Sequence, residues 1–263
     1  MIHTWSSGEA DGHMAEDLLT DLAELIRQHP WWQARARLAV RLLATLDTSP
    51  PASILDAGCG WGVTLATLEA AGYQTTGLDV SRRILRYLDT PQRRLIEADL
   101  SQPSPEHARA AFDAVLALDV IEHIDDDRGA VASLGDLVKP GGYVIVSVPA
   151  LPDLYSEFDR VQGHRRRYTM DRLTSAFANT GLTLVRSFWW GSWMVPVLRL
   201  QRLSRPRVDR GGSALEVYRE FLRLPSGLGR VAMKIAFQVD ERIAIRGMNR
   251  IGTSLFGVAR RRG

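Results

Sequence analysis

The sequence predicts an α/β fold, a mostly parallel sheet with helices on both faces. Three observations carry that reading. Short apolar runs alternate with helix-length segments from residue 53 to residue 148, and such alternation builds crossover connections onto a parallel sheet. The first run ends in a glycine-rich turn, Asp56-Ala57-Gly58-Cys59-Gly60-Trp61-Gly62, and the second closes on Asp79, seventeen residues after Gly62. A chain of 263 residues with 45% hydrophobic content is large enough to bury one continuous core.

Taken in order, residues 1–13 are polar and glycine-containing and predict a mobile start. Helices are expected over 15–28 and 33–46, with Pro30 marking the break, because proline lacks a backbone donor and clashes with the preceding turn. The alternating body then reads strand 53–56, helix 63–71, strand 74–78, helix 81–89 and strand 93–97. It continues as helix 104–110, strand 113–118, helix 127–138 and strand 142–148. A helix over 171–180 follows, with Thr169 ahead of it as N-cap, since a hydroxyl there accepts from an orphan helix N–H. Residues 182–188 read as a sixth strand and 253–260 alternate as a seventh. About sixty residues separate those two strands, far more than a hairpin needs. Within that insertion Leu228, Val231, Ala232, Ile235, Val239 and Ile243 recur at helical spacing, with Arg230, Lys234, Gln238, Glu241 and Arg242 on other faces. The expected division is an N-terminal helical lid over 1–50, a core over 51–190 and 251–263, and a helical cap over 191–250.

The glycine turn carries the first functional signal. Gly58, Gly60 and Gly62 let the backbone bend sharply and put no Cβ between chain and ligand, while the following helix aims its N-terminus at the same place. Asp79, at a strand end, is positioned to accept hydrogen bonds from two ribose hydroxyls. A dinucleotide fingerprint would require glycine where Val63 stands, and Asp56 would repel a pyrophosphate. A nucleoside cofactor with a cationic amino-acid end suits that carboxylate.

This pattern resembles the class I S-adenosylmethionine-dependent methyltransferases, whose first motif is an acidic residue followed by GxGxG. Glu97-Ala98-Asp99-Leu100 is similar to the family's third-strand end, where an acidic side chain meets the adenine. Residues 112–124, ending Asp119-Val120-Ile121-Glu122-His123-Ile124, are similar to its fourth strand and turn, and 137–149 to its fifth strand. The resemblance implies a Rossmann-like seven-stranded sheet with six parallel strands and the seventh antiparallel, and S-adenosylmethionine as cofactor. It implies cofactor contacts from Asp56, Gly58, Cys59, Gly60, Gly62, Asp79, Val80, Asp99, Leu100 and Asp119, the last at the methionine end. The chain resembles a bacterial subgroup more closely, through Pro149-Ala150, the Gly-His-x-Arg-Arg-Tyr-Thr motif at 163–169, residues 29–35 (His-Pro-Trp-Trp-Gln-Ala-Arg) and Gly252-Thr253-Ser254-Leu255. It departs from that subgroup at Leu151 and Tyr155, where larger aromatics are usual, and at Phe158, where His is frequent. Those departures bear on the substrate and leave the cofactor reading untouched.

Methyl transfer from a sulfonium needs donor and acceptor held in line, and a base only if the acceptor must lose a proton. His123 borders the cofactor in related families and is a candidate catalytic residue, its other reading being a turn-fixing or stacking role. His164 is the second candidate. Arg165, Arg166 and Arg167 offer forked donors for a phosphate or carboxylate, or else Arg166 or Arg167 pairs with Asp159 to hold the loop while Arg165 faces water. Tyr155 and Tyr168 are candidate donors to the acceptor, or packing residues. Trp31 and Trp32 read as core or lid residues.

The net charge is only +3, but residues 199–263 hold fifteen basic against five acidic side chains. The cap is expected beside the substrate cleft, and a second reading adds peripheral contact with a membrane or lipid-linked substrate. The single cysteine and the absence of Cys/His clusters at ligand spacing predict neither disulfide nor metal. No basic-then-apolar leader begins the chain, and no apolar run approaches the ~18 residues of a membrane span, so a cytoplasmic location is expected. The expected function is methylation, at oxygen or carbon, of a partly apolar or anionic small molecule. A cofactor-binding pseudoenzyme is opposed by Asp79, Asp99 and His123. A nucleic-acid or protein methyltransferase is opposed by the lack of an appended RNA-binding module and of an Asn-Pro-Pro-Tyr signature.

Overall fold

The computed structural model describes residues 1–6, 16–204 and 214–263. The strands are β1 (Ile2–Thr4), β2 (Ser53–Ala57), β3 (Gln74–Asp79), β4 (Arg94–Glu97), β5 (Phe112–Leu118), β6 (Val138–Pro149), β7 (Leu182–Trp190) and β8 (Ser254–Arg261). They form one sheet in the order β1-β4-β3-β2-β5-β6-β8-β7. β8 runs antiparallel to both β6 and β7, and the remaining pairings are parallel. This is the expected Rossmann-like sheet with one strand added at its edge. Successive residues of β2, β5 and β6 feed opposite cores: Leu55, Val115 and Val144 lie in one cluster, Ile54, Leu116 and Ile145 in the other. Burial on both faces is why these strands are continuous apolar runs without polar alternation.

The helices are α1 (Glu16–Gln28), α2 (Pro30–Ala44), α3 (Val63–Ala70), α4 (Arg82–Leu88), α5 (Asp127–Leu137), α6 (Glu157–Val161), α7 (Met170–Ala176), α8 (Met194–Ser204), α9 (Ala214–Phe221) and α10 (Leu228–Ile245). Thr169 caps α7 by accepting from Arg172 N. Pro30 begins α2 rather than interrupting a link, because the first helical position has no N–H obligation, and His29 Nδ1 accepts from Trp31 N at 3.2 Å as the cap. The helix expected over 104–110 is only a single 3-10 turn at Glu106–Ala108. Pro103 and Pro105 remove the donors a longer helix would need.

The start of the chain corrects an expectation. Residues 2–4 pair in parallel with β4, Ile2 opposite Leu95 and Thr4 opposite Glu97, and Trp5 N donates to Glu97 O at 2.9 Å. Three residues are too few for alternation to reveal a strand. Residues 7–13 of the expected mobile start, residue 15 of the first expected helix and residues 205–213 of the expected cap lie outside the described residues.

α10 also differs from its sequence reading. It packs on α2 and β7, yet Leu228, Val231, Ile235 and Val239 face outward at 88%, 54%, 54% and 46% exposure. The inward face is anchored by polar groups instead. Asp240 accepts from Gly191 N at 2.6 Å and Ser192 N at 3.2 Å, and the buried Glu241 accepts from Arg37 at 2.7 Å and lies 3.5 Å from Arg41. Phe237 fills the space beneath, against Trp31, Trp190 and Trp193. Asp240→Ala leaves a buried backbone donor unsatisfied, a loss of roughly 1–3 kcal/mol, whereas Leu228→Ser is expected to change stability by less than about 0.5 kcal/mol. Urea unfolding of the two variants checks both expectations.

Candidate active site

The carboxyl ends of β2, β3, β4 and β5 meet the loop after β6, and the expected site residues gather there. In the glycine turn Gly58, Gly60 and Gly62 all have left-handed φ, at 73°, 47° and 74°. A Cβ on Gly58 would sit 2.4 Å from Val120 Cγ2, whereas one on Gly60 would meet no atom within 4 Å. Gly58 therefore serves packing, and Gly60 opens the backbone to a ligand. Asp79 is held by two backbone donors, Gly60 N and Ser81 N, each at 2.9 Å. Asp56 is 2% exposed and one of its carboxylate oxygens has no hydrogen-bond partner. Burial pushes its carboxyl up to about 7, with Arg35 working against the rise and Asp79 adding to it.

Cys59 and Leu100 are buried in the cores flanking the turn, and burial pushes the Cys59 thiol up. Val80 is 41% exposed. Asp99 accepts from Ser101 N at 2.8 Å and Ser101 Oγ at 2.7 Å, and its own N–H donates to Ser6 Oγ at 2.9 Å. The N-terminal strand thus ends beside the expected adenine position. Asp119 takes a left-handed φ of 59°, fixed by its N–H donating to Ser147 O and by Ser147 Oγ donating to its carboxylate, both at 2.9 Å. Its other oxygen pairs with Arg35 of α2.

The Gly-His-x-Arg-Arg-Tyr-Thr segment lies against the turn after β5. Arg165 N donates to Glu122 O and Tyr168 N to Pro149 O. All three arginines engage protein acceptors. Arg167 makes two hydrogen bonds to the buried Asp159, at 2.8 and 3.0 Å. Arg166 lies 3.2 Å from Asp127, and Arg165 donates to His123 O and lies 3.1 Å from Asp125. Tyr168 is buried and donates to Asp127 at 2.8 Å, and the half-exposed Tyr155 donates to His164 O at 2.7 Å. Asp159 also meets His164 Nδ1 at 2.9 Å. Burial would raise the Asp159 carboxyl, but hydrogen bonds from His164 and Arg167 outweigh that and hold it at about 2. His123 and His164 meet edge to face, 4.8 Å between ring centres. Beneath them Glu122 is fully buried with neither oxygen hydrogen-bonded, and burial, then the charge of Asp119, raises its carboxyl.

Sequence reasoning did not assign roles to Arg35, Ser147 or Glu122. Arg35 and Glu122 sit inside quoted motifs, so the signal was present, but the pairing of a helix arginine with a strand-end aspartate is not visible in local spacing.

The sheet with one antiparallel strand, the glycine turn and the acidic strand ends define the class I methyltransferase architecture. The chain belongs to a methyltransferase-domain family, whose model matches residues 27–187. It is 30% identical over 133 residues to the ubiquinone biosynthesis O-methyltransferase of Ralstonia nicotianae, covering 45% of this chain and 56% of that protein. It is 31% identical over 175 residues to the malonyl-[acyl-carrier protein] O-methyltransferase of Pseudescherichia vulneris, covering 64% and 66%. The chain thus spans less than two thirds of the length of these relatives. A similar fold occurs in a chain of the complex between the Haloferax volcanii Trm112 methyltransferase activator and a methyltransferase, with TM-score 0.62, 15% identity, and 97% and 100% of the two chains covered.

The raised carboxyl of Asp56 has a definite sign. An acid whose folded value lies above its unfolded one costs stability as pH rises from about 4 to about 7. Asp56→Asn is therefore expected to stabilise the ligand-free protein at pH 8 by on the order of 4 kcal/mol and to leave stability near pH 4 unchanged. Thermal melts at the two pH values read the difference.

Proposed function

We propose that this protein transfers the methyl group of S-adenosylmethionine to an oxygen or carbon of a small, partly apolar or anionic molecule. One observation carries the reading: a buried aspartate with an unsatisfied oxygen, Asp56, beside an open glycine turn and a second acid, Asp79. An ammonium group satisfies the first and a ribose the second. When bound, the cofactor supplies an electrophilic methyl; the acceptor's lone pair forms the new bond to carbon and the carbon–sulfur electrons stay on sulfur.

Gly58, Cys59, Gly60 and Gly62 shape the approach of the chain, Val80 and Leu100 flank the nucleoside, and Asp99 meets the adenine. Asp119, turned by Ser147 and neutralised by Arg35, bounds the methionine end. His123 and His164 face the acceptor, with Tyr155 and Arg165 at the rim. Arg166, Arg167 and Tyr168 hold the loop, because their polar groups are committed to Asp127, Asp159 and Ala150 O. α2 of the N-terminal lid and α10 of the cap pack against each other over one face of the sheet. The O-methyltransferases among the relatives favour oxygen as the atom methylated.

The outward apolar stripe of α10 supports the second part of the sequence reading, peripheral contact with an anionic membrane. Leu228, Val231, Ile235 and Val239 would enter the interface while Arg230, Lys234 and Arg242 meet headgroups. No helix among the described residues is long and apolar enough to cross a membrane.

Gly60→Val and Asp79→Ala are each expected to weaken S-adenosylhomocysteine binding by on the order of 100-fold or more, the first by filling the approach and straining a left-handed φ, the second by removing the ribose acceptor. Unchanged affinity of both in calorimetric titration would sink the cofactor assignment. Methyl-labelled cofactor incubated with a metabolite extract of the organism that makes the protein identifies the acceptor. Flotation with vesicles containing phosphatidylglycerol is expected to carry the protein and to lose it on Val231→Glu with Ile235→Glu, with cofactor affinity unchanged.

A further inference from the structure

Glu122 and His164 face each other inside the protein without bonding directly. The Glu122 side chain is 0% exposed and neither of its oxygens has a hydrogen-bond partner. Leaving a buried carboxylate in that condition costs several kcal/mol. His164 points at it from another part of the chain, with Nε2 3.9 Å from Glu122 Oε1. That separation is too long for a hydrogen bond. It is close to the distance across which two ligand atoms share one cation.

The orientation of the His164 ring is set by its other neighbour. Nδ1 lies 2.9 Å from Asp159 Oδ1, and Asp159 already receives two guanidinium hydrogen bonds from Arg167 and two more from the Ser156 N–H and hydroxyl at 2.8 Å each. A carboxylate so surrounded by donors only accepts. Nδ1 therefore donates to Asp159, and Nε2 is the ring nitrogen left facing Glu122. A histidine whose remote N–H is held by a carboxylate is the usual outer support of a metal-ligating imidazole. His123, partly exposed, completes the group: one ligand atom from each of Glu122, His123 and His164 lies within 4.8 Å of the others.

We propose that Glu122, His123 and His164 bind a divalent first-row transition-metal ion, leaving coordination positions open on the His123 side. Imidazole and carboxylate together select such ions over magnesium or calcium, which prefer all-oxygen sites. Bond lengths to nitrogen and oxygen are about 2.0–2.2 Å, so ligand atoms of one ion stand ~3–4 Å apart, and the 4.8 Å span of the three atoms contracts toward that on binding. This departs from the absence of metal expected from the sequence, where the single cysteine and the wide separation of the two histidines hide the cluster. The site stands on its own geometry. Its use rests on the methyl-transfer reading: an acceptor hydroxyl on an open position would be made more acidic and oriented toward the donor, so His123 and His164 would act through the ion and not as bases themselves.

The test needs neither cofactor nor acceptor, so it fails or succeeds independently of the methyl-transfer reading. Tag-free full-length protein, stripped with a chelator, is titrated with cobalt(II) chloride and followed by visible absorption, and with zinc(II) chloride by calorimetry. One equivalent is expected to bind, with d–d bands in the cobalt form. Glu122→Gln and His164→Asn are each expected to weaken binding 100-fold or more, with near-ultraviolet circular dichroism checking the fold. Should His164→Asn misfold, Glu122→Gln and His123→Ala carry the test. Absence of any cobalt or zinc binding by the native chain would overturn the proposal, leaving a shared proton as the bridge between Glu122 and His164. Binding unchanged in the variants would overturn it as well.

Discussion

The ion pair between Arg35 and Asp119 is the joint on which the site and its covering elements both depend. Carboxylates converge at the carboxyl edge of the sheet: Asp56, Asp79, Asp119 and, beneath the loop after β6, Glu122 and Asp159. Burial first, and their mutual repulsion after it, raises the carboxyls of Asp56 and Glu122, and in both the charge of Arg35 acts in the opposite sense. Arg167 performs the same service for Asp159. A buried acid without such compensation would cost several kcal/mol, a large part of what a fold of this size keeps in reserve. The arrangement keeps an excess of negative charge where a cationic ligand belongs.

The same arginine ties distant layers together. Arg35 lies on α2, and on the same helix Arg37 and Arg41 hold the buried Glu241 of α10. The next residue toward the N-terminus, Asp240, grips the backbone at the end of β7. A continuous line of charged contacts therefore runs from the end of β5, through α2, to the inserted helix and back to the sheet. The position of the insertion is set by electrostatics at a few points, with aromatic packing around Phe237 filling the space between. That explains why its most apolar face is left outside.

Much of this was legible in the sequence. The alternating strands announced themselves because burial on both faces makes each an uninterrupted apolar run, and the glycine turn because only glycine tolerates three left-handed positions in so short a span. What escaped was of two kinds. β1 is too short to show a period, and the expected helix at 104–110 fails because Pro103 and Pro105 remove the donors it needs. The other kind is nonlocal: the pairing of Arg35 with Asp119, and the meeting of Glu122 with His164, join residues far apart in the chain. The apolar periodicity of α10 was real, but periodicity says which residues share a face and not which way that face looks.

The placement of β8 has a consequence for how the protein comes into being. β8 follows the whole insertion in sequence, yet in the finished sheet it stands between β6 and β7 and, among the described residues, is the one strand to which β7 is bonded. On the ribosome, β7 is therefore made long before its partner, and it must wait through synthesis of α8, α9 and α10 with both edges unsatisfied. Such a strand is open to pairing with neighbouring nascent chains. Chaperone demand during synthesis should thus concentrate on this half of the molecule, while the nucleoside half, whose strands pair nearly in the order they emerge, can settle first.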